Sequence, residues 1–168
     1  IHAFFVAYVL PYKKTRLMIS KHISYKEGVY SRTATRLNIK NNPNAEQMKN
    51  MVAIAEEVFE PLRMWVNGPI KINSFFRSPE LNKAIGGSGK SQHCHGQAID
   101  IDDTFGRATN AEMFEFIKEH LDFDQIIWEF GDDNNPDWIH VSFVKEGINR
   151  NRCLKAYKQN NKTNYKII

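Results

Sequence analysis

The stretch Ser91-Gln92-His93-Cys94-His95-Gly96-Gln97-Ala98-Ile99-Asp100 carries a histidine and, seven residues on, a carboxylate in an apolar run that reads as a buried strand. A catalytic zinc site takes three protein ligands of N or O type and keeps one position open for water. His93 and Asp100 can supply two of the three. Trp138-Ile139-His140-Val141-Ser142 offers the third, because His140 lies inside an apolar strand, where an imidazole needs a strong partner. A lone histidine there would more often be a satisfied core residue; its pairing with His93 and Asp100 makes it a ligand candidate. Asp137, three residues before His140, is a carboxylate close along the chain to a ligand and free to act as general base. Glu129 is a rival base whose direction strand alternation leaves open. Cys94 has no second cysteine at C-x-x-C spacing and reads as a small filler residue.

Outward from this stretch, the pattern alternates between helical and strand periods. From Asn44, apolar residues fall at Met48, Met51, Val52, Ala55, Val58, Phe59, Leu62 and Trp65, in steps of three and four along one helical face. Asn44 suits an N-cap, Gly68-Pro69 stops the helix, and Pro61 is expected to kink or split it. Pro69 to Phe76 reads as a strand, Pro79 to Ile85 as a short helix, and 86–90 as a flexible loop. Ala98 to Ile101 is a buried strand. Thr109 or Asn110 caps a helix reaching about His120, with Met113, Phe114, Phe116, Ile117 and Leu121 facing inward. Gln125 to Phe130 and Trp138 to Phe143 are further strands around a turn-rich loop, and Cys153 to Tyr157 is expected to add an edge strand. Helices followed by a mostly antiparallel sheet define the α+β class.

At 168 residues the chain is about one domain long, with ordinary apolar and charged fractions. No apolar run reaches the roughly 18 to 20 residues that span a bilayer. Residues 1–17, apolar first and basic second, run opposite to a secretory signal and read as a leader or fragment edge, with Met18 as a plausible start. Residues 18–150 hold the expected catalytic domain, and 151–168 a basic C-terminal tail. Residues 145–168 carry a net charge of +6 and residues 1–27 a net +4, leaving −6 for the middle. Basic ends on an acidic body suit attachment to an anionic polymer such as wall teichoic acid or nucleic acid, or simply a solvated tail. Two cysteines, Cys94 and Cys153, cannot make a dense disulfide framework and are expected as free thiols.

Three motifs together resemble the zinc D-Ala-D-Ala carboxypeptidases and their relatives, including vancomycin-resistance dipeptidases and phage L-alanyl-D-glutamate endopeptidases. The signature S-x-H-x-x-G-x-A-x-D is met by Ser91, His93, Gly96, Ala98 and Asp100. An acidic residue three before the last ligand is met by Asp137 and His140. Ser74-Phe75-Phe76-Arg77-Ser78-Pro79 looks like the family's strand ending in an arginine. The similarity runs from about Ile19 to Phe143, and Glu60-Pro61-Leu62-Arg63 points to the phage-type branch.

The resemblance implies a Hedgehog/DD-peptidase-like fold and one zinc ion (Zn2+) per chain, bound by His93, Asp100 and His140. It makes Asp137 the general base and Arg77 the oxyanion donor. Ser91 orients the loop or substrate. The expected substrate is a D-residue-containing stem peptide of bacterial peptidoglycan, cut at the cell wall, with a phage lysis enzyme as one origin. Endopeptidase action is favoured over carboxypeptidase action. With Arg77 committed to the oxyanion, a terminal carboxylate needs another cation, for which Lys83, Lys90 and Arg107 are candidates. Partners expected are stem peptides and, through the tail, an anionic wall polymer. No nucleic acid or membrane is expected, and the chain reads as a monomer. A competing class is an inactive zinc-containing wall-binding module of a phage or envelope assembly; the presence of both Asp137 and Arg77 argues against it. Nucleic-acid binding rests on tail charge alone, with no recognisable motif.

Overall fold

The computed structural model describes residues 17–168; the expected leader lies, but for Leu17, outside the described residues. The elements in chain order are α1 (Tyr25–Val29), α2 (Arg32–Leu37), α3 (Ala45–Ile54), α4 (Glu60–Val66), β1 (Lys71–Ser74), α5 (Pro79–Ala84), β2 (Ala98–Asp102), α6 (Asn110–His120), β3 (Gln125–Glu129), β4 (Trp138–Ser142), β5 (Arg152–Gln159) and β6 (Lys162–Ile167). The strands form one sheet in the order β1-β2-β4-β3-β5-β6. Every pairing is antiparallel except β3 with β5. The fold is α+β, as the sequence pattern indicates.

Asn44 caps α3 in a full capping box with Gln47, satisfying two otherwise orphaned backbone donors. The expected break near Pro61 takes the form of a π turn at Ala55–Phe59 that joins α3 to α4. Proline has no N–H, and its ring crowds the carbonyl four residues back. The helix widens before Pro61 and resumes with the proline in the first turn of α4, where its ring is tolerated. The stop comes at Asn67, left-handed at φ 51°, just before Gly68.

Along each strand, side chains alternate between faces. Ile99, Ile101, Ile126, Trp128, Ile139 and Val141 join Met51, Ile54, Val58, Phe59, Leu62, Phe114 and Ile117 in one buried core between sheet and helices. Trp65, expected on the buried face, is instead exposed and stacks on Phe116 of α6 with ring centroids 4.6 Å apart. The opposite face of the sheet carries Asp100, His140 and Glu129, with a small cluster of Ile127, Leu154 and Ala156 beside them.

Residues 151–168 correct the expectation of a tail. Leu154 and Ala156 are buried, and β5 is an interior strand between β3 and β6. β5 and β6 are joined by Asn160 and Asn161, both at positive φ (52° and 59°). Two such residues make the tight hairpin turn whose twist matches its strands. The positive charge of this segment is thus borne by the sheet, and the edge strand is β6. Cys94 and Cys153 are free, as expected, and among the described residues no helix is long and apolar enough to cross a membrane.

Candidate metal centre

His93 rides on a single 3-10 turn, Gln92–His95, that leads into β2, with Ser91 at its head. The turn must reverse direction tightly beneath α3. Gly96 makes this possible: its φ is +70°, and a Cβ there would stand 2.4 Å from the Gln47 backbone oxygen. The Gln47 side chain closes the same junction by donating to the Cys94 carbonyl at 3.0 Å. Gly96→Ala is therefore expected to lower stability by about 1–3 kcal/mol for the left-handed backbone alone, with the backbone collision added. Denaturant unfolding of the zinc-loaded protein measures it; an unchanged midpoint and slope would remove Gly96 from this role.

His93 is fully buried. Its Nδ1 faces the Phe75 carbonyl at 2.6 Å. A carbonyl can only accept, so Nδ1 carries the proton and Nε2 presents a lone pair. Burial, opposed by Asp100, holds the imidazole pKa below its ordinary value, which favours the neutral form a metal requires. Asp100 and His140 are directly paired residues of β2 and β4, on one face of the sheet. Burial alone would raise the Asp100 carboxyl, but His93 and His140 outweigh it and hold the group well below the usual carboxylate range.

The three candidate ligand atoms form a triangle. His93 Nε2 lies 3.2 Å from Asp100 Oδ1 and 3.2 Å from His140 Nδ1, and His140 Nδ1 lies 2.9 Å from Asp100 Oδ1. Ligands at roughly 2.0–2.1 Å from a tetrahedral zinc stand about 3.3 Å from one another. The triangle is slightly tighter than this, and its donors are of the right chemical types. The group fits a single metal ion.

Arg77 comes to the same place from the segment after β1. Its Nη2 is 3.6 Å from Asp100 Oδ2, and its buried Nε has no hydrogen-bond partner. Asn41 steadies this segment by donating to the Phe76 carbonyl and accepting from the Ser78 N–H. Asp137 is exposed at the entrance to β4, its backbone N–H donating to the Glu129 carbonyl at 2.9 Å. Asn110 ties the start of α6 to the Pro136 and Asp137 carbonyls. Asp137 lines an open cleft of about 760 Å³ together with Phe130, Lys155 and Lys158. Glu129 is 8 % exposed. It shares the sheet face of Asp100 and His140 and stands opposite Trp138. Burial pushes its carboxyl up to about 7, with Asp100 adding to the rise and His140 and Arg77 opposing it. His95, with no role in the sequence reading, is exposed.

A His-Asp-His triangle on one face of the sheet, with a guanidinium 3.6 Å from its carboxylate, suits a metal-dependent hydrolase. The chain belongs to the Peptidase M15 family, the zinc D-Ala-D-Ala carboxypeptidase family, whose family model matches residues 21–142. No curated protein matches the chain. The matched residues contain all three candidate ligands, Arg77, Glu129 and Asp137, and stop at the end of β4. Tyr165, on β6, shares this face and lies outside every sequence motif; the Asn160-Asn161 turn between two alternating segments is its signal in the sequence.

Proposed function

We propose that this protein hydrolyses peptide bonds next to D-residues in the stem peptides of bacterial peptidoglycan, as an endopeptidase. The observation that carries the reading is the convergence of His93, Asp100 and His140 on one point, with Arg77 beside it. Family membership supports the peptidase chemistry. The short loops at Gly86 and Gly131 suit an extended chain, and an open cleft lies at the adjoining ends of β3, β4 and β5 beside Asp137.

Zinc on these ligands would supply an acidified water and polarise the scissile carbonyl. Arg77, its Nη2 3.6 Å from Asp100 Oδ2, puts a fixed positive charge beside the ligands to stabilise the negative charge that develops on the carbonyl oxygen. Such a donor is worth about 3–4 kcal/mol of barrier. A carboxylate takes the proton of the attacking water and returns it to the leaving amine. Two groups compete for this role. Asp137 has the sequence resemblance and borders the open cleft. Glu129 has burial and the ligands' own face of the sheet, and it is the assignment we favour. Ser91 heads the turn that holds His93 with its backbone carbonyl alone, which accepts from the Cys94 N–H, and its side chain, which makes no capping bond, is left for the substrate.

Digestion of purified peptidoglycan by the zinc-loaded protein, followed by mass analysis, is expected to give two peptide fragments from an internal cut. Release of free D-alanine alone would overturn the endopeptidase assignment, and no peptide product at all would overturn the function.

A further inference from the structure

The β5–β6 hairpin lies beyond the residues matched by the family, yet it extends the face of the sheet that holds the metal ligands. Two rows of paired residues cross that face. One runs Asp100, His140, Ile127, Leu154 and Ile167. The next runs Trp138, Glu129, Ala156 and Tyr165. Tyr165 is thus two strands from Glu129, about 10 Å at the backbone. The residue between them is alanine, buried and too small to block a side chain reaching across. Tyr165 is half exposed, at 53 %.

We propose that Tyr165 is a substrate-binding residue of this site, its phenol donating a hydrogen bond to a peptide carbonyl of the stem peptide as the chain crosses the β5–β6 hairpin. The inference rests on the peptidase reading above. Partial burial and the negative charges of Glu129 and Asp100 raise the phenol's pKa, so it stays protonated and acts as a donor. Beneath Tyr165, Ile127, Leu154 and Ala156 form a small buried cluster with Phe130 packed against it, which fixes the hairpin on the sheet.

The test compares wild type, Tyr165→Phe and Lys166→Ala, all zinc-loaded, on a synthetic stem pentapeptide and on its cross-linked dimer. Lys166 neighbours Tyr165 on β6 but belongs to the opposite face of the hairpin. Tyr165→Phe is expected to lower kcat/KM by about tenfold, chiefly through KM, with zinc content unchanged. Lys166→Ala is expected to match wild type. Native kcat/KM in Tyr165→Phe, or an equal loss in Lys166→Ala, would overturn the proposal while leaving the peptidase reading intact. Failure of the wild type to cut either substrate would overturn both.

Discussion

His93→Ala and His140→Ala are each expected to purify without zinc and without measurable hydrolysis of wall peptides. The protein holds three candidate ligand atoms within 3.2 Å of one another, and a catalytic zinc rarely survives on two. The two variants differ in their structural cost. His93 is fully buried and its Nδ1–H satisfies the Phe75 carbonyl, so its removal leaves an unpaired acceptor costing about 1–3 kcal/mol. His140 is only partly buried, and its loss should disturb the fold less. Metal analysis of protein prepared without chelator, alongside thermal unfolding, separates the two effects. Full zinc occupancy in both variants would sink the ligand assignment.

The second large effect is expected at Glu129. Glu129→Gln should keep zinc and lose turnover by about a hundredfold or more, the usual scale for a positioned base. Asp137→Asn should lose far less if Glu129 is the base. A base works only when deprotonated, so kcat/KM should rise with pH and level off at or below about 7, the value to which burial brings Glu129. The positive charge of a bound metal moves that limb downward, never upward. Glu129→Gln should remove the limb from whatever activity survives, and Asp137→Asn should keep it. The reverse pattern, with a hundredfold loss in Asp137→Asn and near-native Glu129→Gln, would return the role to Asp137.

The two carboxylates show where sequence reading stops. Asp137 is legible as a candidate because its spacing of three residues from His140 is visible in one dimension. Glu129 reaches the site only through pairing: β3 lies against β4, and the register puts Glu129 opposite Trp138 and Ile127 opposite His140. Alternation within β3 says that Ile127 and Glu129 share a face, but not which face. That was decided when Ile126 and Trp128 packed into the helical core.

The sequence by itself determined the parts governed by short-range physics. Asn44 and Gln47 form a capping box, Pro61 marks the break between α3 and α4, and His93 with Asp100 brackets a tight turn that requires Gly96. Each depends on residues a few positions apart, so their types and spacing carry the information. Tertiary structure alone decided what depends on pairing across long separations. It turned residues 152–167 from an expected tail into a hairpin, because Leu154 and Ala156 gain burial against β3 and Phe130. It brought His140 within 2.9 Å of Asp100 across forty residues of chain. It also carried Tyr165 onto the face of the ligands. The physical reason is that register and face are set by which apolar surface finds a partner, a property of the assembled sheet that no single strand contains.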